Sequence, residues 1–469
     1  MRLIPQPKSI ELYSETTKLR EITDFEITSE IKNDESYELI ITSDKITARA
    51  SGEKGLHYAR VSLKQILKLY DEIPCLKIKD EPRFPHRGFM IDCARHMFSL
   101  DELKKMISTA ADFKFNKFHW HLSDDQGFRI ELESLPELTE KGSVRHCDNF
   151  RNCKSEKEYH GFYTKDQIRE IVEFCRYRFI DVIPEFDMPG HQSALLHVFP
   201  QYTCKGTAVE VKTKEGIFKD IICAGNLEAH ACIEKILDEL CELFPYDTVH
   251  IGGDEVPKNN WKSCGKCRKI MLDNGLKDEN ELQCWFINKM ADYLKNKDKK
   301  CIVWNDCLKG KGLSQELTIQ HWMGKPQKSA KTANNGQKII MSPFMPFYVD
   351  YPYDMHPLRA VYSLEPENLR GLNKTGKRNI KGVESPIWTE FINNNSRLEY
   401  MCFPRWFAVA ETGWTVKENK NYKEFLSVCR KLSDIYKKNG LNVAPEEDWN
   451  PRISERLYKT LSFFLPKRK

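Results

Sequence analysis

From Arg87 onward, short apolar runs alternate with amphipathic stretches of helical spacing, and the alternation repeats eight times. The runs lie at 88–93, 117–122, 180–185, 248–252, 301–304, 318–322, 338–341 and 382–388. Between them, stretches such as 101–113, 165–178, 227–244 and 279–294 place apolar residues three and four apart, the period of a helix with one buried face. Strands that alternate with helices pair in parallel, because a parallel connection needs a crossover long enough to hold a helix. Eight such units suit a closed barrel better than an open sheet. The expected fold class is therefore α/β, a (β/α)8 TIM barrel preceded by a small N-terminal α/β domain.

The N-terminal part has a different grammar. Two β-rich runs, 37–42 and 45–50, are separated by Ser43-Asp44, a hairpin signal. Helical spacing follows over 53–69, then a short strand at 75–78, and Pro82-Arg83-Phe84-Pro85 marks a boundary. The expected organisation is an accessory domain at 1–81, the barrel at 82–445 and a C-terminal tail at 446–469 packed on or beside the barrel. Within it, 397–414 reads as the closing barrel helix, 422–438 as another amphipathic helix and Pro466-Lys-Arg-Lys as a solvated tail.

Composition excludes some classes of function. The 469 residues are 40% hydrophobic and 30% charged, a globular balance, and a net charge of +5 spread over many lysines forms no basic stripe for nucleic acid. No run reaches the roughly 20 apolar residues of a membrane span, and the first residues lack a signal-peptide core. The expected location is cytoplasmic. The 16 cysteines have no regular spacing and read as reduced thiols. The compact pair Cys264-Gly-Lys-Cys267 has no second pair at finger spacing after it, so it reads as structural.

In a barrel of this kind the chemistry belongs at the C-terminal ends of the strands. The residues there are Arg95 and His96, Asp124 and Asp125, Glu185, Asp187 and His191, Asp254 and Glu255, Trp304 and Asp306, Trp322, Tyr348 and Asp350, and Trp388 and Glu390. Asp254 and Glu255 stand out, because Val249 and Ile251 alternate as in a buried strand and Gly252-Gly253 then clear space ahead of two adjacent acids. Aromatic walls with carboxylates suit a sugar, whose apolar ring face stacks on an indole while its hydroxyls need acceptors and donors.

These motifs together resemble the β-N-acetylhexosaminidases of glycoside hydrolase family 20. The resemblance rests on Arg87-Gly-Phe-Met-Ile-Asp92 through Arg95-His96, His119-Trp-His-Leu-Ser-Asp-Asp125-Gln-Gly, Pro184-Glu-Phe-Asp-Met-Pro-Gly-His191, His250-Ile-Gly-Gly-Asp-Glu255 and Trp388-Thr-Glu390, in family order. It implies an exo-acting retaining glycosidase that removes terminal β-linked N-acetylglucosamine, and N-acetylgalactosamine as a further candidate, with the substrate's own 2-acetamido group as nucleophile. Glu255 would be the general acid and then base, Asp254 would steady the acetamido N–H as an oxazolinium ring closes, and Tyr348 would donate to the acetamido oxygen. Asp124 and His191 would set the orientation and proton affinity of Glu255. Trp304, Trp322 and Trp388 would enclose the acetamido methyl and underlie the ring, while Arg95, Asp350 and Glu390 would hold the outer hydroxyls. No cofactor and no metal is implied, and a metal reading of His119 and His121 with Asp124 is set aside. The expected partner is the oligosaccharide substrate, with no nucleic acid and no membrane; a homodimer is left as an alternative to a monomer.

The loop after Tyr348 departs from the pattern. Many members carry a further tryptophan there, whereas this chain reads Tyr351-Pro-Tyr-Asp-Met-His-Pro-Leu-Arg359. The aromatic wall is therefore expected to be one ring short, and neither Tyr353 nor Arg359 receives a role. Two alternatives stay open at this point: a disaccharide-releasing hydrolase of the lacto-N-biosidase kind, and a sugar-binding relative without catalysis.

Overall fold

The computed structural model describes residues 1–151 and 153–464. Each of the eight apolar runs is a parallel strand: His86–Asp92, Lys117–His121, Asp181–Glu185, Thr248–His250, Lys300–Trp304, Thr318–His321, Ile339–Met341 and Ile380–Ile387. They pair in chain order, and the eighth closes on the first, from Gly382 against His86 to Ile387 against Ile91. Period-two alternation divides each strand between two environments. Phe118 and Trp120 face outward into the apolar layer under the helices, while His119 and His121 on the same strand join polar groups inside.

The barrel axis is filled in layers. Ile183, Ile302 and Ile340, from the third, fifth and seventh strands, form a small apolar plug. The even strands contribute His119, His250, Gln320 and Glu384, in which Glu384 accepts from Gln320 Nε2 at 2.7 Å and lies 2.8 Å from His119 Nδ1. Layers supplied by alternate strands are the usual filling of this fold, but branched apolar residues usually dominate them. Here one layer is polar and ionised.

The helices fall close to the expected stretches, at Leu100–Ala111, Lys165–Arg176, Leu227–Leu243, Glu279–Lys295 and Tyr422–Lys438. All five are capped by the side chain of the residue before them, Ser99, Thr164, Asn226, Asp278 and Asn421, with Thr164 in a capping box with Gln167. The single helix expected at 397–414 is instead two, Asn395–Cys402 and Arg405–Trp414. Pro404, which lacks the amide hydrogen a continuing helix would use, stands between them.

The N-terminal unit is a five-stranded sheet with the helix Glu53–Leu69 on it. Tyr37–Ile41 and Ile46–Ala50 form the expected antiparallel pair, both alternating between buried and half-buried. The sequence reading passed over strands Ser9–Thr17 and Asp24–Ile27: Ile10 with Leu12 and Phe25 with Ile27 alternate with polar residues over only two positions each, and the side chains are mostly exposed. Both lie at the sheet edges and are held by backbone pairing.

The last helix, Ile453–Phe464, returns toward the catalytic end of the barrel. The basic end Pro466-Lys-Arg-Lys lies outside the described residues. Among the described residues, no helix is long and apolar enough to cross a membrane.

Candidate active site

A cavity of about 250 Å³ opens at the C-terminal ends of the strands and is lined by Arg95, Asp124, His191, Asp254, Glu255, Trp322, Tyr348, Asp350, Trp388 and Glu390 among others. Ten of the eleven site residues expected from the sequence thus share one wall. Trp304 is the exception. It sits one layer down, its ring centroid 6.1 Å from that of Trp388, with its indole nitrogen donating to Glu185 at 2.8 Å. It supports the floor and does not form the wall.

The two acids owe their positions to the two glycines. Gly252 and Gly253 both have positive φ, at 64° and 99°. A β-carbon on the first would lie 1.6 Å from Asp187 Oδ1, and one on the second 2.4 Å from Cys307 Sγ. The Gly253 amide donates to Asp187 at 2.9 Å, and Gln283 donates to the Gly253 carbonyl at 2.7 Å. Glu255 itself has φ 45°, a left-handed conformation that costs a non-glycine residue about 1–3 kcal/mol and persists where the surroundings over-determine it. The adjacent carboxylates consequently face different environments. The Asp254 side chain is 11% exposed and the Glu255 side chain 27%.

Behind the acids runs a chain of alternating imidazoles and carboxylates. Glu384 meets His119, His119 Nε2 lies 3.1 Å from Glu185, and Glu185 is in close contact with His121. His121 Nε2 lies 3.1 Å from Asp124, and Asp124 meets His191 Nδ1 at 3.1 Å. His191 Nε2 then lies 3.7 Å from Glu255 and 3.9 Å from Asp254. His191 thus lies between Asp124 and the acid pair. Burial disfavours charge on His191, but Asp124, Asp125 and Asp254 outweigh burial and hold its pKa well above the ordinary imidazole value. In the same way His119 is raised to about 9 and His121 to about 10 against the cost of burial, His119 chiefly by Glu384 and Glu185, His121 chiefly by Glu185.

The acids around the cavity move in the opposite direction to Asp124. Burial raises the Glu255 pKa, with His191 pulling it back and Asp306 adding to the rise. Burial and then Asp187 push Asp254 well above the carboxylate range, and Asp187 itself rises to about 7, first through burial. Asp124 stays ionised despite burial because Arg95 Nη2 lies 2.6 Å away and His191 adds a second cation. Arg95 also donates to Gln126 at 2.8 Å and Asp92 at 3.1 Å, approaches Glu390 at 3.7 Å and lies 5.0 Å over the Trp388 ring.

Tyr348 completes the wall between Trp322, stacked at 5.9 Å, and Trp388 at 6.3 Å. Trp322 is pinned by Asp306, which accepts its indole N–H at 2.8 Å. Among the described residues, Asp254 Oδ1, Asp350 Oδ1 and His191 Nε2 are buried with no protein hydrogen-bond partner. All three residues line the cavity, so these atoms are within reach of a polar ligand there.

Several contributors were invisible to the sequence reading. Arg405, fully buried, donates to the carbonyls of Val349 and Met401, and to those of Tyr351 at 2.8 Å and His356 at 3.2 Å, so it fixes the loop that carries Tyr348 and Asp350. Tyr353 lies under its guanidinium, 4.0 Å from the ring centroid, and donates to Phe403 O at 2.9 Å, which gives it a structural task. At the mouth, the loop after Tyr348 contributes Tyr351 and the last helix contributes Phe463, which packs on Phe391 at 5.4 Å. The alternation of His119 and His121 was the available signal for the polar axis; for Arg405 and Phe463 no local pattern exists.

Comparison with known proteins bears on the same residues. The catalytic-domain model of glycosyl hydrolase family 20 matches residues 84–417, and the model of that family's domain 2 matches 8–81. A beta-hexosaminidase of Porphyromonas gingivalis is 37% identical over 419 residues, 84% of this chain, and the chain spans 52% of that protein's length. A beta-hexosaminidase of Akkermansia muciniphila is 32% identical over 92% of this chain and 89% of its own. Among solved structures, a beta-N-acetylhexosaminidase superposes with a TM-score of 0.87 at 30% identity, covering 96% of this chain and 98% of the other. The GH20 exo beta-N-acetylglucosaminidase of Vibrio harveyi, in complex with N-acetylglucosamine, superposes with a TM-score of 0.84 at 29% identity over 94% of this chain and 78% of its own. Matched in both its barrel and its N-terminal unit, this chain belongs to glycosyl hydrolase family 20.

Proposed function

We propose that this protein is an exo-acting, retaining β-N-acetylhexosaminidase that removes terminal β-linked N-acetylglucosamine by substrate-assisted catalysis. The observation that carries the reading is the pair of adjacent acids with unlike surroundings. Glu255 has a raised pKa and the more exposed side chain, which suits a group that must hold a proton at working pH and hand it to the glycosidic oxygen. Asp254 is deeper, with one oxygen unpartnered, and suits the acetamido N–H. Burial and Asp187 raise its pKa before substrate arrives. The positive charge that develops as the acetamido oxygen attacks the anomeric carbon favours the ionised form, so the stabilisation is greatest in the transition state. Tyr348 beside Trp322 and Trp388 fits the acetamido oxygen and methyl. The donated proton leaves with the departing alcohol; when water then attacks the anomeric carbon, Glu255 takes a proton from that water, and His191, 3.7 Å away, steadies the anion in between.

The cavity is smaller than the ~300–1,000 Å³ of most small-molecule sites, which favours one sugar over two. Arg95, Asp350 and Glu390 close it with polar groups, as an exo-acting site requires at its blind end. N-acetylgalactosamine differs from N-acetylglucosamine only at the 4-hydroxyl, so these three residues would decide its acceptance. The test is hydrolysis of nitrophenyl β-N-acetylglucosaminide and β-N-acetylgalactosaminide, with product anomers followed by NMR and with a GlcNAc-thiazoline as inhibitor. The β-anomer released first, with inhibition by the bicyclic mimic, is the expected result. Release of the α-anomer would remove the retaining mechanism, and no release from either substrate would remove the activity.

A further inference from the structure

All 16 cysteines are free thiols, yet four of them converge. Cys204, Cys223, Cys264 and Cys267 bring their sulfurs within 4.8 Å of one another. The measured edges are 3.9 Å from Cys204 to Cys267, 3.7 Å from Cys223 to Cys264 and 3.6 Å from Cys223 to Cys267. A disulfide would need about 2.05 Å. Four thiolates around a tetrahedral ion at about 2.3 Å would stand about 3.8 Å apart, the spacing seen.

We propose that Cys204, Cys223, Cys264 and Cys267 bind one zinc ion in a closed tetrathiolate site. The sequence reading treated Cys264-Gly-Lys-Cys267 as unaccompanied because no second pair follows it. The fold corrects that by supplying two companions from earlier in the chain, Cys223 being 41 residues before Cys264. The alternative is four thiols packed as small apolar groups. Packing alone asks only that sulfurs touch some apolar neighbour, whereas here the sulfurs face one another at a tetrahedron's edges. The backbone is shaped to the same purpose. A β-carbon at Gly225 would lie 2.3 Å from the Lys266 carbonyl carbon, so the two knuckles are pressed together. Three of the four thiols are buried and the fourth is half-buried. Soft thiolate donors select zinc over magnesium or calcium, and with four protein ligands no position is left for water, so the site is structural. On binding, each ligating thiol gives up its proton to solvent.

The position of the site gives it a purpose. Cys204 and Cys223 belong to the long connection after the third barrel strand, which also carries Asp187 and His191. Cys264 and Cys267 open the helix Gly265–Asp273 in the connection after the fourth strand, which carries Asp254 and Glu255. Near the sulfurs the two connections are also joined by Trp261 Nε1 donating to Ile222 O at 2.9 Å and Asn260 Nδ2 donating to Lys219 O at 2.9 Å. The ion would staple the two loops whose side chains must meet in the active site.

The test begins with the full chain purified under reducing conditions and its metal content measured by plasma mass spectrometry. About one zinc per chain is expected. Zinc content should fall at least about tenfold in Cys267→Ser and stay at wild-type level in Cys241→Ser, a cysteine outside the cluster. Should Cys267→Ser fail to fold, the wild type still decides: titrating its thiols with an organomercurial should release the zinc to a colorimetric chelator, and cobalt exchanged for zinc should show thiolate charge-transfer and tetrahedral ligand-field bands. Wild-type protein that holds no zinc and gives no thiolate–cobalt bands overturns the proposal, as does a disulfide among the four residues. Loss of glycosidase activity plays no part in the readout, so the site and the proposed reaction stand or fall separately.

Discussion

Two buried charge networks in this molecule are built from the same side chains and behave in opposite ways. Where the N-terminal unit meets the base of the barrel, Arg87 pairs with Glu35 at 2.7 Å and Lys114 with Asp80 at 2.8 Å. Tyr58 donates to Glu35, and Tyr37 and Trp414 donate to Asp80, the latter at 3.0 Å. Cations balance anions there, and Glu35 is held below its ordinary pKa by Arg87 in spite of burial. At the rim, Arg95 and the imidazolium of His191 face Asp124, Asp125, Asp187, Asp254, Glu255, Asp350 and Glu390. Burial first, and neighbouring acids after it, raise Asp187, Asp254, Glu255, Asp350 and Glu390 alike. Balance produces a joint; imbalance produces a store of protons.

The largest expected effect breaks the rim. Glu255→Gln removes the transferable proton and should lower kcat/KM on an unactivated β-linked N-acetylglucosamine disaccharide by about 10²- to 10⁴-fold, with much less loss of the first step on a nitrophenyl substrate. The thermal midpoint should barely move. In the wild type the acid works only while protonated, so kcat/KM should fall as pH rises through the raised pKa of Glu255, a limb that Glu255→Gln should lack. A variant that hydrolyses the disaccharide at wild-type rate would take Glu255 out of the reaction.

The next effect breaks the joint. Arg87→Met strands Glu35 without its cation, and removing one partner of a buried pair costs about 3–5 kcal/mol. Urea unfolding should show that loss while KM stays near wild type. The sign with pH follows from the lowered pKa of Glu35: the pair stabilises the fold above the ordinary glutamate pKa and loses that contribution as pH falls through the depressed one. Equal stability of variant and wild type at neutral pH would show that the joint carries no load.

The smallest effect sharpens the contrast. Asp350 is buried, its pKa is raised first by burial and then by Glu390, and one of its oxygens has no protein partner. A group raised in the fold contributes fully below its unfolded pKa and loses that contribution as pH rises through its folded pKa, so at neutral pH the carboxylate destabilises. Asp350→Asn should therefore stabilise the protein by about 1 kcal/mol at neutral pH, with the gain vanishing in acid, while substrate binding weakens. Calorimetry at two pH values decides it; a variant less stable than wild type at neutral pH contradicts the surplus-acid account.

Legibility in the sequence followed the range of the interactions. The barrel strands could be read because each is a local apolar run, and Asp254 and Glu255 because two glycines beside them announce a tight approach. The edge strands Ser9–Thr17 and Asp24–Ile27 were not read, since backbone pairing with distant strands holds them and their apolar alternation, Ile10 with Leu12 and Phe25 with Ile27, is only two residues long. Trp304 could be placed at a strand end but not at its depth, which depends on the indole finding Glu185, 119 residues away. Arg405 and Phe463 reach the site from the end of the chain, and nothing in their immediate neighbours says so.

By itself, then, the sequence determined the eightfold alternation, the rim on which the chemistry would gather and the identities of the two central acids, because period, glycine and strand end are properties of neighbouring residues. Only the tertiary structure decided which acid is the deeper, how many carboxylates must share so few cations, and that two cysteines from one connection meet two from the next. Protonation and metal coordination depend on distances through space between residues far apart in the chain, and those distances exist only once the barrel has closed.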